Sequence, residues 1–62
     1  MKFKAGDLLL NKWGEKRLVM GIENEMYLIC YVDYFDRAGP LQGRLQNTYR
    51  AFVEEEYRIY EI

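Results

Sequence analysis

The sequence predicts an all-β fold: a small five-stranded barrel with a short helical turn before the last strand, in one domain over residues 1–62. Three observations predict it. Short apolar runs alternate with polar or glycine-containing breaks along the chain. The run over residues 26–32 is apolar or aromatic at every position, which marks a strand with both faces covered. The chain is also half hydrophobic and 16% aromatic. Closing the sheet is the way a strand-rich chain of this composition removes edges that would otherwise aggregate.

The elements follow in order. Residues 7–10, Asp7-Leu8-Leu9-Leu10, come after a glycine and read as the first strand. Residues 11–16, centred on Trp13 and Gly14, read as a loop. Residues 17–22 form the second strand, with Leu18, Met20 and Ile22 on one face and Val19 and Gly21 on the other. Glu23-Asn24-Glu25 is a short polar break that signals a hairpin. In the third strand, residues 26–32, Met26, Leu28, Cys30 and Val32 share one face and Tyr27, Ile29 and Tyr31 the other. Asp36, Gly39-Pro40 and Gly43 mark a loop over residues 34–43, and a fourth strand lies within residues 44–52. The C-terminal third supports two readings. One is a strand ending near Phe52, a helical turn over 53–56 and a final strand from Tyr57, favoured by the alternation in Arg58-Ile59-Tyr60-Glu61-Ile62. The other is one helix over 47–60, which the spacing of Leu45, Tyr49, Phe52, Val53, Tyr57 and Tyr60 also allows.

Missing residue types narrow the chemistry. The chain has no His and no Ser, one Cys (Cys30) and one Thr (Thr48), so it cannot assemble a Ser–His or Cys–His pair. One Cys cannot make a zinc site or an intramolecular disulfide, which fits a reducing compartment. Neither GxGxxG nor GxxxxGK[ST] occurs, and there is no EF-hand loop. No cofactor and no metal are expected. The remaining route to catalysis is paired carboxylates: Asp33 with Asp36, or the run Glu54, Glu55, Glu56. Both read better as solvated loop and surface, because catalytic carboxylates need burial. The chain is therefore expected not to be an enzyme. No apolar run reaches the roughly 20 residues of a membrane span, and Lys2 and Lys4 lead into Gly6 and Asp7 rather than an apolar signal segment. Cys30 reads as a small buried hydrophobe in mid-strand.

With the elements assigned, the sequence resembles the SH3-like barrel domains, including the KOW and Tudor types. Phe3-Lys4-Ala5-Gly6-Asp7-Leu8-Leu9 carries the resemblance at the first strand, Gly21-Ile22 at the end of the second and Tyr27-Leu28-Ile29-Cys30-Tyr31-Val32 at the third. Val53-Glu54-Glu55-Glu56-Tyr57, leading to Tyr60-Glu61-Ile62, carries it at the C-terminus. Chains of this size and pattern are similar to small proteins of bacteria and bacteriophages. The resemblance implies an accessory protein in the bacterial cytoplasm, or in the host cytoplasm if phage-encoded. It also implies a binding surface built from loop aromatics beside acidic residues.

One Trp, six Tyr and three Phe exceed what so small a core can enclose. Trp13, Tyr31, Tyr34 and Phe35 are the ones expected at a surface that binds a protein partner or the chain itself, holding an extended peptide or a cationic side chain. Charge offers an alternative. Residues 1–20 hold Lys2, Lys4, Lys12, Lys16 and Arg17 against Asp7 and Glu15, and this basic segment reads as a nucleic-acid-binding surface of KOW type. The net charge of -1 places that reading second. The face of Tyr27, Ile29 and Tyr31 has more apolar area than a lone barrel is expected to cover, which predicts a homodimer.

Overall fold

The computed structural model describes residues 1–32, 35–36, 39–40 and 43–61, with the side chains of 35–36 and 39–40 left aside. The chain is mostly β. Strands β1 (Leu8–Asn11), β2 (Lys16–Glu23), β3 (Met26–Tyr31), β6 (Leu45–Tyr49) and β7 (Tyr57–Ile59) make one five-stranded antiparallel sheet. Its order is β6-β3-β2-β1-β7, and helix α1 (Arg50–Glu56) links the two edge strands. Two-residue strands β4 (Phe35–Asp36) and β5 (Gly39–Pro40) pair with each other inside the segment expected to be a loop. Among the described residues no ladder joins β6 to β7, so the sheet is open rather than closed by hydrogen bonds.

Local chemistry sets the boundaries. Asp7 lies before β1 because it closes a turn: its amide donates to the Lys4 carbonyl, and its carboxylate accepts from the Lys4 amide at 3.0 Å. Those bonds to Lys4 hold the Asp7 carboxyl below its ordinary pKa. Gly6 takes φ +96° in this turn, a left-handed conformation that a side chain resists, and its amide reaches the Val19 carbonyl at 2.8 Å.

Between β2 and β3, Asn24 and Glu25 both have positive φ, 51° and 60°. That is the backbone of a two-residue type I′ hairpin, whose twist matches the flanking strands. The polar break in the sequence is therefore a tight turn.

The alternation expected along β2 holds only to Val19. A β-bulge lies between Val19 and Gly21, and Met20 is the inserted residue. Leu18 opposes Cys30 and Gly21 opposes Leu28, so Gly21 shares Leu18's face, while Ile22, opposite Tyr27, joins Val19's. The expected Leu18–Met20–Ile22 face is broken for this reason.

The core is Phe3, Leu9, Val19, Tyr27, Ile29, Val53 and Tyr57, with Tyr31 packed against it. Burying each such side chain stabilises the fold by roughly 1.5–3 kcal/mol. Tyr27 and Ile29 are thus the centre of the protein, and the surplus face read from the sequence is covered by Phe3 and Val53. Cys30, on the opposite face, is half-buried rather than enclosed.

The C-terminal third is strand, helix, strand. Strand β6 ends at Tyr49, three residues earlier than expected, and α1 runs seven residues. The continuous helix over 47–60 is absent, because Tyr57 breaks it: Tyr57 is extended (ψ 154°), buried and paired with Asn11. So short a helix is marginal alone. Val53, its buried residue, and an Arg50–Glu54 pair at 3.2 Å one turn apart hold it in place. No helix among the described residues is long and apolar enough to cross a membrane.

Candidate functional site

The site begins with Asn11, the last residue of β1, which is buried. Its side-chain oxygen accepts hydrogen bonds from the Trp13 amide at 3.0 Å and the Glu15 amide at 2.9 Å. Its side-chain nitrogen donates to Glu15 Oε1 at 2.9 Å. The Asn11 amide donates to the Glu15 carbonyl, and the Gly14 amide to the Asn11 carbonyl, both at 3.1 Å. Gly14 takes φ +82° to let the loop turn back. Side chain and backbone of this one residue thus bond Trp13, Gly14 and Glu15, as Asn does in tight turns.

The loop holds Trp13 outward, with 63% of it exposed. Lys12 Nζ lies 4.7 Å from the centre of the Trp13 ring and 3.3 Å from Glu56 Oε2 at the end of α1. This cation–π contact and ion pair tie the loop to the helix. A shallow groove beside it is lined by Leu10, Lys12, Glu55, Glu56, Tyr57 and Arg58.

Tyr31 lies at the same end of the sheet, where β1 turns into β2 and β3 departs. The Arg17 guanidinium stacks 4.0 Å from its ring centre, and its hydroxyl donates to Gln46 Oε1. Arg17 is 4% exposed and pairs with Glu15 at 3.5 Å. Asn11, Glu15, Arg17, Tyr31 and Gln46 therefore form one chain of contacts running from the loop across the sheet. Tyr31, half-buried, is thereby linked to the loop through Arg17 and Glu15. Tyr34 lies outside the described residues, as does Asp33, and Phe35 and Asp36 are described only through the backbone of β4.

Each basic residue of the alternative reading has a partner of its own. Lys4 Nζ meets Asp7 at 3.1 Å, and Lys12 meets Glu56. Lys2 Nζ donates to the Glu54 carbonyl at 3.2 Å, Lys16 lies 5.2 Å over the Tyr60 ring, and Arg17 is buried. The sequence showed their number but not their partners.

The acidic run divides by environment. Glu55 is exposed and Glu56 holds Lys12. Glu54 is clamped: its Oε2 accepts from the Tyr27 hydroxyl at 2.5 Å and the Lys2 amide at 2.9 Å, and Arg50 Nε donates at 3.2 Å. These donors, the Tyr27 hydroxyl first, pull its pKa down from 4.5 to about 2. A carboxylate this weakly basic is a poor proton acceptor at neutral pH. The Tyr27 hydroxyl is pushed above its ordinary value, by burial first and by Glu54 second. Sequence reasoning missed this clamp because its partners are 27 residues apart. It also missed Asn11, although an Asn two positions before an exposed Trp and three before Gly is a turn signal.

No family model, curated protein or solved structure matches the chain.

Proposed function

We propose that this chain is a non-enzymatic interaction module, an SH3-like β-barrel that binds a protein partner through its aromatic 12–15 loop. The strand order supports the fold: four strands meander, a short helix follows, and the last strand returns to β1. The observation that carries the function is Trp13, 63% exposed on a loop already fixed by Asn11. A large apolar ring on a rigid support binds without a further ordering cost, which is what interface anchors need. The groove beside it, with its carboxylates and arginine, suits an extended peptide carrying a polar flank. The spread of the basic residues among their own partners favours protein over nucleic acid. The cytoplasm, bacterial or host, remains the expected compartment.

The test is affinity capture from lysate of the source cells, with and without nuclease, using the wild type and Trp13→Ala. A nuclease-resistant partner retained by the wild type and lost about 30-fold or more by Trp13→Ala supports the reading, since anchor residues carry about 2 kcal/mol or more. Equal retention by both proteins overturns it. A partner lost to nuclease transfers the site to Lys2, Lys4, Lys12 and Lys16.

A further inference from the structure

Independently of the Trp13 loop, we propose that β6 is a self-pairing edge, and that two copies of this chain join through it into one continuous antiparallel sheet. The two edges of the sheet differ. Strand β7 is a blunted edge of three residues with Arg58 at its centre. Strand β6 is five residues, Leu45-Gln46-Asn47-Thr48-Tyr49, with no charge, no proline and no bulge. In a chain that is 31% charged, β6 itself carries neither charge, proline nor bulge, the devices by which a strand's own sequence discourages edge pairing.

The backbone is poised for a partner. The Tyr31 amide donates to the Arg44 carbonyl on β6's inner side. Antiparallel alternation then directs the backbone groups of Gln46 and Thr48 toward β3 and those of Leu45, Asn47 and Tyr49 away from it. Among the described residues no strand pairs with these outward groups.

The sequence of β6 complements itself about Asn47. A two-fold axis there sets Asn47 against Asn47, Gln46 against Thr48 and Leu45 against Tyr49. The two Asn47 residues then exchange two backbone bonds, and each Leu45–Tyr49 pair gains one, from the Tyr49 amide to the Leu45 carbonyl, because the Tyr49 carbonyl caps α1. Leu45 and Tyr49 share a face and are 53% and 73% exposed. Across the axis each covers the other as an aliphatic–aromatic pair, the kind that stabilises sheets. Leu45 also ends the apolar row Leu8–Leu18–Cys30–Leu45, which the second copy would extend. At each flank Arg44 of one copy falls beside Arg50 of the other, and Glu54, 3.2 Å from the Arg50 guanidinium, offsets the repulsion there. A net charge of -1 leaves little repulsion between copies.

The test uses sedimentation equilibrium and cysteine cross-linking. The wild type at about 1 mM should show twice the 7.5 kDa chain mass. Asn47→Lys, which sets like charges face to face, should sediment as a monomer with unchanged circular dichroism. Trp13→Ala should remain dimeric, which separates this proposal from the loop's role. In a Cys30→Ala background, Asn47→Cys should form a disulfide-linked dimer under oxidised glutathione, because hydrogen-bonded partners lie within disulfide reach. Leu45→Cys should not, since it is displaced from its own copy by about 13 Å along the strand. A monomeric wild type at about 1 mM, or equal cross-linking at residues 45 and 47, overturns the proposal.

Discussion

Replacing Tyr27 by Phe tests the clamp that joins the N-terminal segment, β3 and α1. Tyr27 is fully buried, and Phe keeps its ring, so no cavity opens. The hydroxyl alone is removed, with two consequences. The Phe3 amide, which donates to it at 3.1 Å from a residue 3% exposed, is left without an acceptor. Glu54 loses its shortest donor but keeps the Lys2 amide and Arg50, and water reaches its partly exposed carboxylate. The dominant cost is therefore the orphaned amide, about 1–3 kcal/mol. For a domain of this size that lowers Tm by roughly 8–16 °C at a central value of about 2 kcal/mol. Thermal melts and urea titrations at pH 7 measure it, with m unchanged if the folded state is otherwise intact. In the double variant with Glu54→Gln the losses should be less than additive, because both changes act on the same bond, one removing its donor and the other the charge on its acceptor. A Tyr27→Phe protein within about 0.5 kcal/mol of wild type, or strict additivity with Glu54→Gln, would refute the reasoning.

Four further outcomes follow from the same structure. Because the folded state holds Glu54 in its charged form, its stabilisation is complete above pH 4.5 and is lost as pH falls toward about 2. Acid titration of stability should show that loss in the wild type, and Glu54→Gln should flatten it; equal slopes in the two proteins would contradict the clamp. Tyr27 acts in the opposite direction, since its raised pKa makes stability fall as pH climbs past 10.0. Glu25→Gly should stabilise the hairpin by about 0.5–1 kcal/mol, the left-handed strain released at φ 60° less the added chain entropy; a lower Tm would remove the type I′ assignment. Thr48→Val should also stabilise, by about 1 kcal/mol, because the buried Thr48 hydroxyl has no hydrogen-bond partner among the described residues; destabilisation would mean that the hydroxyl is satisfied.

Much of this architecture is legible in single residues, and the exceptions share a cause. Residues 26–32 read as a central strand because both faces are apolar, and β3 occupies that place. The turn at Asn24 and Glu25 and the restart at Tyr57 follow from local polarity and alternation. What failed depended on distant partners. The Tyr27–Ile29 face looked surplus because Phe3 and Val53, which cover it, are remote in sequence. The bulge that puts Gly21 with Leu18 answers to β3, not to the composition of β2. Glu54 of helix α1 meets Arg50, Lys2 and Tyr27 together, and two of those three partners are remote in sequence. At the site, Trp13 stood out as an aromatic beside glycine in a polar loop. Asn11, which fixes that loop, read only as its first residue, and the structure makes it the last residue of β1.

Trp13 is the one tryptophan in the chain, so its fluorescence reports the proposed binding loop alone. Titration of the wild type with its captured partner should move the emission from that of a solvent-exposed indole to that of a covered one, saturating together with the binding measured by calorimetry. An emission spectrum that stays constant while calorimetry reaches saturation would contradict the claim that the chain acts through this ring.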